Sequence, residues 1–565
     1  MYYGRKCFKT TVSNLMSPKT PIQVIFKLTV AICISLFSVM PVTSVAQKFI
    51  DPREAGGYYK DGNYLAAMKG FKDLIRSEPN NVEYHYKLGM CYLNSNVDKA
   101  MAVEYFEWIT KQPKFDYEVW YELGRAYHYA NKFTSAIWAL NKFKEHGNAA
   151  EKVKADKQIE ECNSGIQLSK YPVNVSFENL GKVINTPYPD YYPFVSSDES
   201  ILIFTTRRPG GPSQEPEVDG YYSSDIYISH AVNGVWQKPK SIGTQINTPD
   251  DEEAVGLNPT ANELVIYLDH IDELGDIYYS ERKGNTFSKP IRYNDVINSG
   301  FESSGSLSPD GNQLFFASLR PGGYGETDIY MTKKLPSGEW ATPQNLGDKV
   351  NSPYKEDFPW LDVDGTTLYF SSQGHSTMGD FDLFKSHWIS PDSNNWTAPQ
   401  NLGFPVNTSG DDRCISFTSN HHVAYISRVH PDGFGDFDLY RIIFHDNQRY
   451  AIVRGKIITG DSTKPVIATI TATDTKNKSV DPLTFKPTKN GHYVMALVPG
   501  IYDLKIESPG LPTFTDKLII MDLSSFQPET VKDYSLIGQP QQPVPTPTPT
   551  NDKNKPKPQP ANRVH

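Results

Sequence analysis

The feature that most constrains the fold is a short motif that recurs five times across the middle of the chain. Asp-Ile-Tyr or a close variant returns at spacings of 51, 52, 54 and 56 residues, with copies that begin at Asp225, Asp276, Asp328, Asp382 and Asp438. Each copy follows a short apolar run, and a turn such as Ser308-Pro309-Asp310-Gly311 precedes that run. Repeated hairpins of this kind are typical of propeller blades. We therefore predict an all-β propeller over residues 170–447.

The number of blades follows from counting the strands. An outer-strand motif with an aromatic residue and a Pro follows four of the five repeats, at Trp236, Phe287, Trp340 and Trp396, and none follows Tyr440. A matching segment comes first, at 174–180. The prediction is a five-bladed propeller in which this N-terminal strand completes the last blade, which leaves no bare sheet edge at the seam. A six-bladed ring, with one unrecognised blade, is the alternative.

Residues 47–169 show a helical repeat with a period of about 34 residues. Leu88-Gly89-x-x-Tyr92 and Trp120-x-x-Leu123-Gly124-x-x-Tyr127 are its clearest copies. In the tetratricopeptide pattern, large residues of one helix fill the space left by small residues of the next. The sequence predicts an all-α tetratricopeptide repeat stack with a capping helix near 149–164, and an unrelated bundle of helical hairpins is the alternative.

Two further segments complete the chain. Alternating apolar residues and Gly or Pro turns over 448–537 predict a small all-β sandwich, and this segment resembles a carboxypeptidase-regulatory-like domain. Residues 538–565 are rich in Pro and then basic, so we expect a disordered tail that buries no core.

The N-terminal segment predicts export. Residues 1–46 carry five bases and no acid, then a 13-residue apolar run from Leu28 to Met40 and a small-residue site before Gln47, as in a secretory signal peptide. Met16 is an alternative start. Removing this segment changes the net charge from −9 to −14, which disfavours nucleic acid as a partner. Three cysteines then remain, Cys91, Cys162 and Cys414, too few and too scattered for a disulfide framework.

The order of these modules resembles that of PorE-like multidomain envelope proteins of the type IX secretion system. That resemblance implies a non-enzymatic scaffold or adaptor, periplasmic and peripheral to the outer membrane, whose partners are secretion or outer-membrane proteins. Family members continue into an OmpA-like domain that binds peptidoglycan, and this chain is expected to lack that domain and that binding. The alternative is a TolB-like envelope recognition protein for a glycan or cell-wall ligand.

Sequence motifs for catalysis and cofactors are missing from the chain. It contains no Gly-x-Ser-x-Gly nucleophile elbow, no His-Glu-x-x-His metal motif and no phosphate or dinucleotide loop. His270-x-x-Glu273 has the spacing of a metal-binding pair, but it lies between a predicted strand and an Asp-Ile-Tyr unit, where we expect an exposed loop. The prediction is no enzyme, no cofactor, no metal and no transmembrane segment.

Two sets of side chains are candidates for binding. One acid precedes each predicted inner strand, and five blades would bring these acids around the mouth of the central channel. The simpler interpretation of these acids, and of each repeated Asp, is turn formation. The channel-mouth candidates are Asp190, Glu253, Glu302, Glu356 and Asp411.

The second set lies on the predicted concave groove of the helical repeats, where aromatic and cationic residues suit a peptide or carboxylate partner. We expect partner binding there rather than at the channel, through side chains that the helical core does not need. The alternative is that the stack docks on the neighbouring propeller. The groove candidates are Tyr86, Lys87, Tyr121, Arg125 and His128.

Overall fold

The computed structural model describes residues 51–270, 273–390, 394–445, 451–460, 463–476, 482–520 and 529–537. The predicted signal peptide, 1–46, and the predicted tail, 538–565, lie outside these residues. The described chain is multidomain and mostly β, with a helical region at its start. None of its helices combines the length and the apolar character that a membrane crossing requires.

The helical region consists of seven α-helices whose first turns are often capped by Asn. Asn63, Asn81 and Asn148 each accept a backbone N–H bond from the turn that follows, and Asn148 forms a capping box with Glu151. A 3-10 turn, Lys99–Met101, precedes α4. The helices are α1 Pro52–Lys60, α2 Tyr64–Ser77, α3 Val82–Leu93, α4 Ala102–Thr110, α5 Val119–Tyr129, α6 Phe133–His146 and α7 Ala149–Leu168.

Neighbouring helices approach closely where a glycine of one faces a large residue of the next. A Cβ atom on Gly89 would lie 2.7 Å from the Phe106 ring, and one on Gly124 would lie 2.7 Å from Cγ of Leu140. Both distances are shorter than a van der Waals contact, so only Gly fits without displacing its neighbour. The complementarity of small and large side chains that the repeat pattern predicts is therefore present at these two positions.

Five antiparallel sheets follow the helices, and we number them 1 to 5 in chain order. In each sheet the long strands pair in the order in which they are named here. Sheet 1 contains β2 Asp190–Val195, β3 Ile201–Thr206, β4 Asp225–Val232, β5 Val235–Trp236 and β6 Lys240–Ser241; sheet 2 contains β7 Asp251–Leu257, β8 Glu263–His270, β9 Glu273–Lys283, β10 Thr286–Phe287 and β11 Ile291–Arg292. In sheet 1 the short strands β5 and β6 both pair with β4, and in sheet 2 the short strands β10 and β11 both pair with β9.

Sheet 4 repeats this plan, sheet 3 has one short strand instead of two, and sheet 5 takes its outer strand from the start of the β region. Sheet 3 contains β12 Glu302–Leu307, β13 Gln313–Ser318, β14 Asp328–Lys333 and β15 Gln344–Asn345; sheet 4 contains β16 Glu356–Leu361, β17 Thr367–Ser372, β18 Asp382–Ser390, β19 Asn395–Trp396 and β20 Gln400–Asn401; sheet 5 contains β21 Ile415–Phe417, β22 Val423–Arg428, β23 Asp438–Phe444 and β1 Val175–Asn179. Strand β1 thus completes the last sheet, with Val175 opposite Phe444 and Asn179 opposite Tyr440. The predicted pairing of 174–180 with the strand that begins at Asp438 is confirmed.

The first strands of successive sheets lie next to one another. Strand β2 contacts β7, β7 contacts β12, β12 contacts β16, and β21 contacts β2. Between sheets 4 and 5, the Trp360 ring stacks on Phe417 with a centroid distance of 5.9 Å. The five sheets therefore follow one another around a common centre, and apolar side chains fill the spaces between them.

Two small sheets form the C-terminal β region. One contains β24 Ala451–Ile458, β27 His492–Leu497, β30 Glu529–Val531 and β31 Tyr534–Ser535; the other contains β25 Thr469–Asp474, β26 Leu483–Phe485, β28 Gly500–Glu507 and β29 Phe514–Ile520. Alternate residues of these strands are buried, as in Val453, Ile470 and Leu504, and they share one core. This is the two-layer arrangement of a sandwich.

Candidate functional site

Strands β2, β7, β12 and β16 all begin at the same end of the five sheets. We call this end the mouth. Three of the five predicted mouth acids are buried behind it. Asp190, Glu302 and Glu356 are each 0% exposed. Each accepts hydrogen bonds from a backbone N–H group of the turn before its strand and from a hydroxyl of the neighbouring strand. They hold the turn in place, so their predicted location at the mouth is wrong.

The other two predicted acids, Glu253 and Asp411, do line the mouth, but they are not equivalent to the first three. In their sheets the carboxylates that bind the turn are Glu252 and Asp412, which accept hydrogen bonds from Thr248 and Thr408. Successive side chains of a strand point to opposite faces, so an alignment error of one residue exchanges the buried and the mouth-facing positions. Because the repeat spacing is irregular, this shift of one residue is not visible in the sequence.

The residue directly after each turn-binding carboxylate faces a cavity at the mouth. The five positions are Tyr191, Glu253, Ser303, Asp357 and Arg413. Two cavities lie there, which we call the first, of about 310 Å³, and the second, of about 300 Å³. Tyr192 and Arg413 line both of them. The mouth therefore carries aromatic, anionic and cationic groups together, rather than the ring of acids that the sequence predicts.

Two bulges aim aromatic side chains into the mouth. The strand register shifts between Tyr191 and Phe194 and again between Asp357 and Trp360. Within these bulges the backbone φ is 50° at Tyr192 and 48° at Phe358. Aromatic residues rarely adopt this left-handed conformation, and such strain is characteristic of binding sites.

The two bulge residues meet each other, although they come from sheets 1 and 4. Their ring centroids lie 4.4 Å apart. Sequence reasoning missed both residues. The available signal was the proline that follows each of them within a strand, Pro193 and Pro359, because a proline inside a strand often marks a bulge.

The charged groups of the mouth are held by specific hydrogen bonds. The Tyr191 hydroxyl donates to Oε1 of Glu253 at 2.8 Å, and burial raises the pKa of Glu253 to about 7. Nε of Arg413 donates to both carboxylate oxygens of Asp411, each at 2.9 Å. The guanidinium carbon of Arg413 also lies 4.5 Å from the centroid of the Phe381 ring, so a cation–π contact fixes its plane.

The groove candidates of the helical region do not lie where the sequence predicts. Tyr121 and His128 are only 7% and 2% exposed, and Tyr121 packs against Phe143 with a ring-centroid distance of 5.2 Å. The expectation that these two side chains are not needed for packing is therefore wrong. Both side chains belong to α5, and residues of the next two helices cover them: Phe143 of α6 packs on Tyr121, and Gln158 of α7 contacts His128.

The remaining three groove candidates are partly buried. Lys87 forms an ion pair with Glu83 at 2.7 Å, and Arg125 pairs with Glu122 at 2.8 Å. Burial raises the pKa of the Tyr86 hydroxyl to about 12. Both cations thus have a carboxylate on their own helix. Their role in partner binding stays a prediction.

The helices dock on the sheets beside the mouth. Nε2 of His128 donates to the Met378 carbonyl oxygen at 2.7 Å, and the Tyr129 hydroxyl donates to Asp380 at 3.0 Å. Asn96 donates to Asp436 at 2.9 Å, and Asn96 also lines the first cavity. These contacts confirm the alternative that the helical stack docks on the neighbouring β region, and they make it part of the cavity wall.

The repeated aspartates have a structural role at most of their positions. Asp328, Asp382 and Asp438 accept backbone N–H bonds from the turn that precedes their strand, which confirms the turn interpretation. Asp276 instead forms an ion pair with Arg292. Within the described part of the chain, no group of three His, Cys, Asp or Glu residues could hold a metal ion. The side chains of His270 and Glu273 lie outside that part.

Comparisons with known proteins give distant similarities only. No family model and no curated protein matches the chain. TolB from Acinetobacter baumannii is 12% identical with a TM-score of 0.29, over 54% of this chain and 65% of that one, which is less than two thirds of its length. A putative TolB from Agrobacterium tumefaciens is 15% identical with a TM-score of 0.26, over 48% and 98% of the two chains. An alpha-L-arabinofuranosidase from Lactobacillus brevis is 12% identical with a TM-score of 0.32, over 49% and 94%.

Proposed function

We propose that this chain is a non-enzymatic scaffold of the bacterial cell envelope that binds a protein partner at the mouth of its five sheets. The observation that carries the proposal is the first cavity, whose wall combines Asn96 of the helical region with Tyr221, Tyr192 and Arg413 of the sheets. A site built by two domains binds a partner only while both stay docked, as an adaptor requires.

The lining of the mouth suits a protein segment. Tyr and Arg are the residues most enriched at the energetic centres of protein interfaces. Here Tyr191, Tyr192 and Tyr221 surround Arg413 and Arg207. Acids of the mouth are already hydrogen-bonded, so they orient these residues without requiring a metal ion.

The finer architecture belongs to the same proposal. We infer a five-bladed propeller closed by β1 and a tetratricopeptide repeat stack, supported by the pairing of β1 with β23 and by the close packing at Gly89 and Gly124. The resemblance to type IX secretion components and the predicted signal peptide support a periplasmic location peripheral to the outer membrane. The sequence shows no nucleophile elbow, which supports the absence of hydrolase activity.

Site-specific photo-crosslinking tests the proposal. A photoreactive phenylalanine analogue replaces Tyr221, which lines the first cavity, or Val232, which is 55% exposed at the other end of strand β4. Crosslinking in intact cells should attach an envelope protein at position 221 and not at position 232. The same products at both positions, or none at position 221, would refute the proposal. Crosslinked glycan without protein at position 221 would favour the alternative of a glycan recognition protein.

A further inference from the structure

Arg413 stands out at the mouth because part of its guanidinium group is unused. Its Nε donates to Asp411, and its guanidinium plane lies on the Phe381 ring. Neither contact uses the two terminal nitrogens. To the described residues these two nitrogens donate no hydrogen bond. Arg413 lines both cavities, and its side chain is 36% exposed.

The other cations of the mouth are already occupied. Arg207 donates to Asp219, to Glu217 and to the Tyr222 carbonyl oxygen, so its whole guanidinium group is engaged. Lys355 forms an ion pair with Glu326 at 3.2 Å. A rigid fork of N–H donors toward the cavities is thus specific to Arg413 among these three, and such a fork matches the two oxygens of a carboxylate.

The acids near Arg413 do not compete for this fork. Asp411 accepts hydrogen bonds from Nε and not from the terminal nitrogens. Asp357 accepts hydrogen bonds from the hydroxyls of Ser303 and Ser304. An incoming carboxylate therefore meets N–H donors that no described residue binds, and it would form charge-assisted hydrogen bonds with them.

The first cavity offers apolar surface beside the fork. Tyr191, Tyr192, Pro189 and Phe437 line it together with Arg413. Its volume of about 310 Å³ is at the lower end of the range for small-ligand sites. A cavity of this size accommodates the end of a chain rather than a segment that passes through it. The terminal residue of a peptide presents both a carboxylate and an adjacent side chain.

We propose that Arg413 binds the C-terminal carboxylate of a protein partner, with the partner's last side chain packed against Tyr192 in the first cavity. This inference rests on the proposed function, because it specifies the chemistry by which the mouth recognises its partner. It makes the free carboxyl terminus, rather than an internal acidic residue, the recognised group.

The probe is an array of hexapeptides of varied sequence, attached through their N-termini, in two forms with a free or an amidated C-terminus. The purified chain should bind a subset of the free peptides, and amidation of that subset should weaken binding about tenfold or more, as expected for loss of charge-assisted hydrogen bonds. Arg413→Lys keeps the charge but loses the fork, so we expect a similar weakening. Arg76→Lys makes the same exchange in α2, where the side chain is 65% exposed and lines neither cavity, and its binding should stay within about twofold of the unsubstituted chain.

Equal binding of free and amidated peptides, or no binding of either, would overturn the carboxylate inference. If Arg413→Lys fails to fold, as judged by circular dichroism, the comparison of free and amidated peptides on the unsubstituted chain still decides. The crosslinking at position 221 judges the proposed function separately. A partner crosslinked there with no preference for free carboxylates would retain the scaffold and reject only the role of Arg413.

Discussion

We predict that protonation of His128 lowers the stability of the protein in acid. Burial lowers its pKa from 6.5 to about 4. Both ring nitrogens are used in the neutral form, because Nε2–H donates to the Met378 carbonyl oxygen and Nδ1 accepts from the Gln158 amide. A second proton on Nδ1 would point at an amide that can only donate there, so protonation breaks the contact of α5 with α7 while the bond from Nε2–H to Met378 remains.

The sign and size follow from proton linkage. Between pH 6.5 and about 4 the unfolded state binds a proton that the folded state does not, so the free energy of unfolding falls as the pH falls. A pKa lowered from 6.5 to about 4 corresponds to a loss of about 3 kcal/mol in the free energy of unfolding when protonation is complete, and of about 2 kcal/mol between pH 7 and pH 5.

The assay compares urea unfolding, followed by far-UV circular dichroism, at these two pH values. His128→Gln retains a donor for the Met378 carbonyl but cannot be protonated, so it should lose about 2 kcal/mol less than the unsubstituted chain on acidification. His146→Gln, at an exposed position of α6, is the matched control and should behave like the unsubstituted chain. An equal pH dependence for the unsubstituted chain and His128→Gln would refute this account of the buried His128 ring.

Three further predictions concern stability. A protein that begins at residue 184 lacks β1 and exposes the edge of β23, so it should lose several kcal/mol, and thus melt lower, relative to one that begins at residue 170; equal melting temperatures would contradict the closure. Gly124→Ala places a Cβ 2.7 Å from Leu140 and should cost about 1–3 kcal/mol in urea unfolding, whereas Gly57→Ala, with no atom near its Cβ, should not destabilise. Tyr121→Ala removes a buried ring and should cost about 3 kcal/mol; an unchanged denaturation midpoint would show that this ring is not part of the core.

Local sequence patterns determined much of the β architecture. The turn before each apolar run and the Asp-Ile-Tyr motif after it are short-range signals, and the strands form where they predict, as in β13 and β14. Strand β1 was recognisable because Leu180-Gly181 and Asn185 match Leu346-Gly347 and Asn351 of sheet 3. The Asn185 side chain hydrogen-bonds to the backbone of Leu439 in β23, and the Asn351 side chain hydrogen-bonds to the backbone of Ile329 in β14. These equivalent bonds explain why the Asn is repeated.

The register of side chains at the mouth was not predictable with the same accuracy. Glu252 and Glu253 are adjacent acids, as are Asp411 and Asp412, and composition alone does not show which member binds the turn. The bulges at Tyr192 and Phe358 shift the alternation once more within their strands. A one-residue difference inverts the facing of every side chain, so the repeat located the mouth strands but not the groups that line the cavities.

Only the tertiary structure decided where the helical region lies. His128 and Met378 are 250 residues apart in the chain, and their contact depends on the positions of two separately formed units. Helix propensity, capping and the small–large pattern are satisfied within the helices, so they carry no information about which outer face meets the sheets. This docking adds Asn96 to the wall of the first cavity, beside Tyr221 and Asp436, and long-range complementarity of that kind has no local sequence signal.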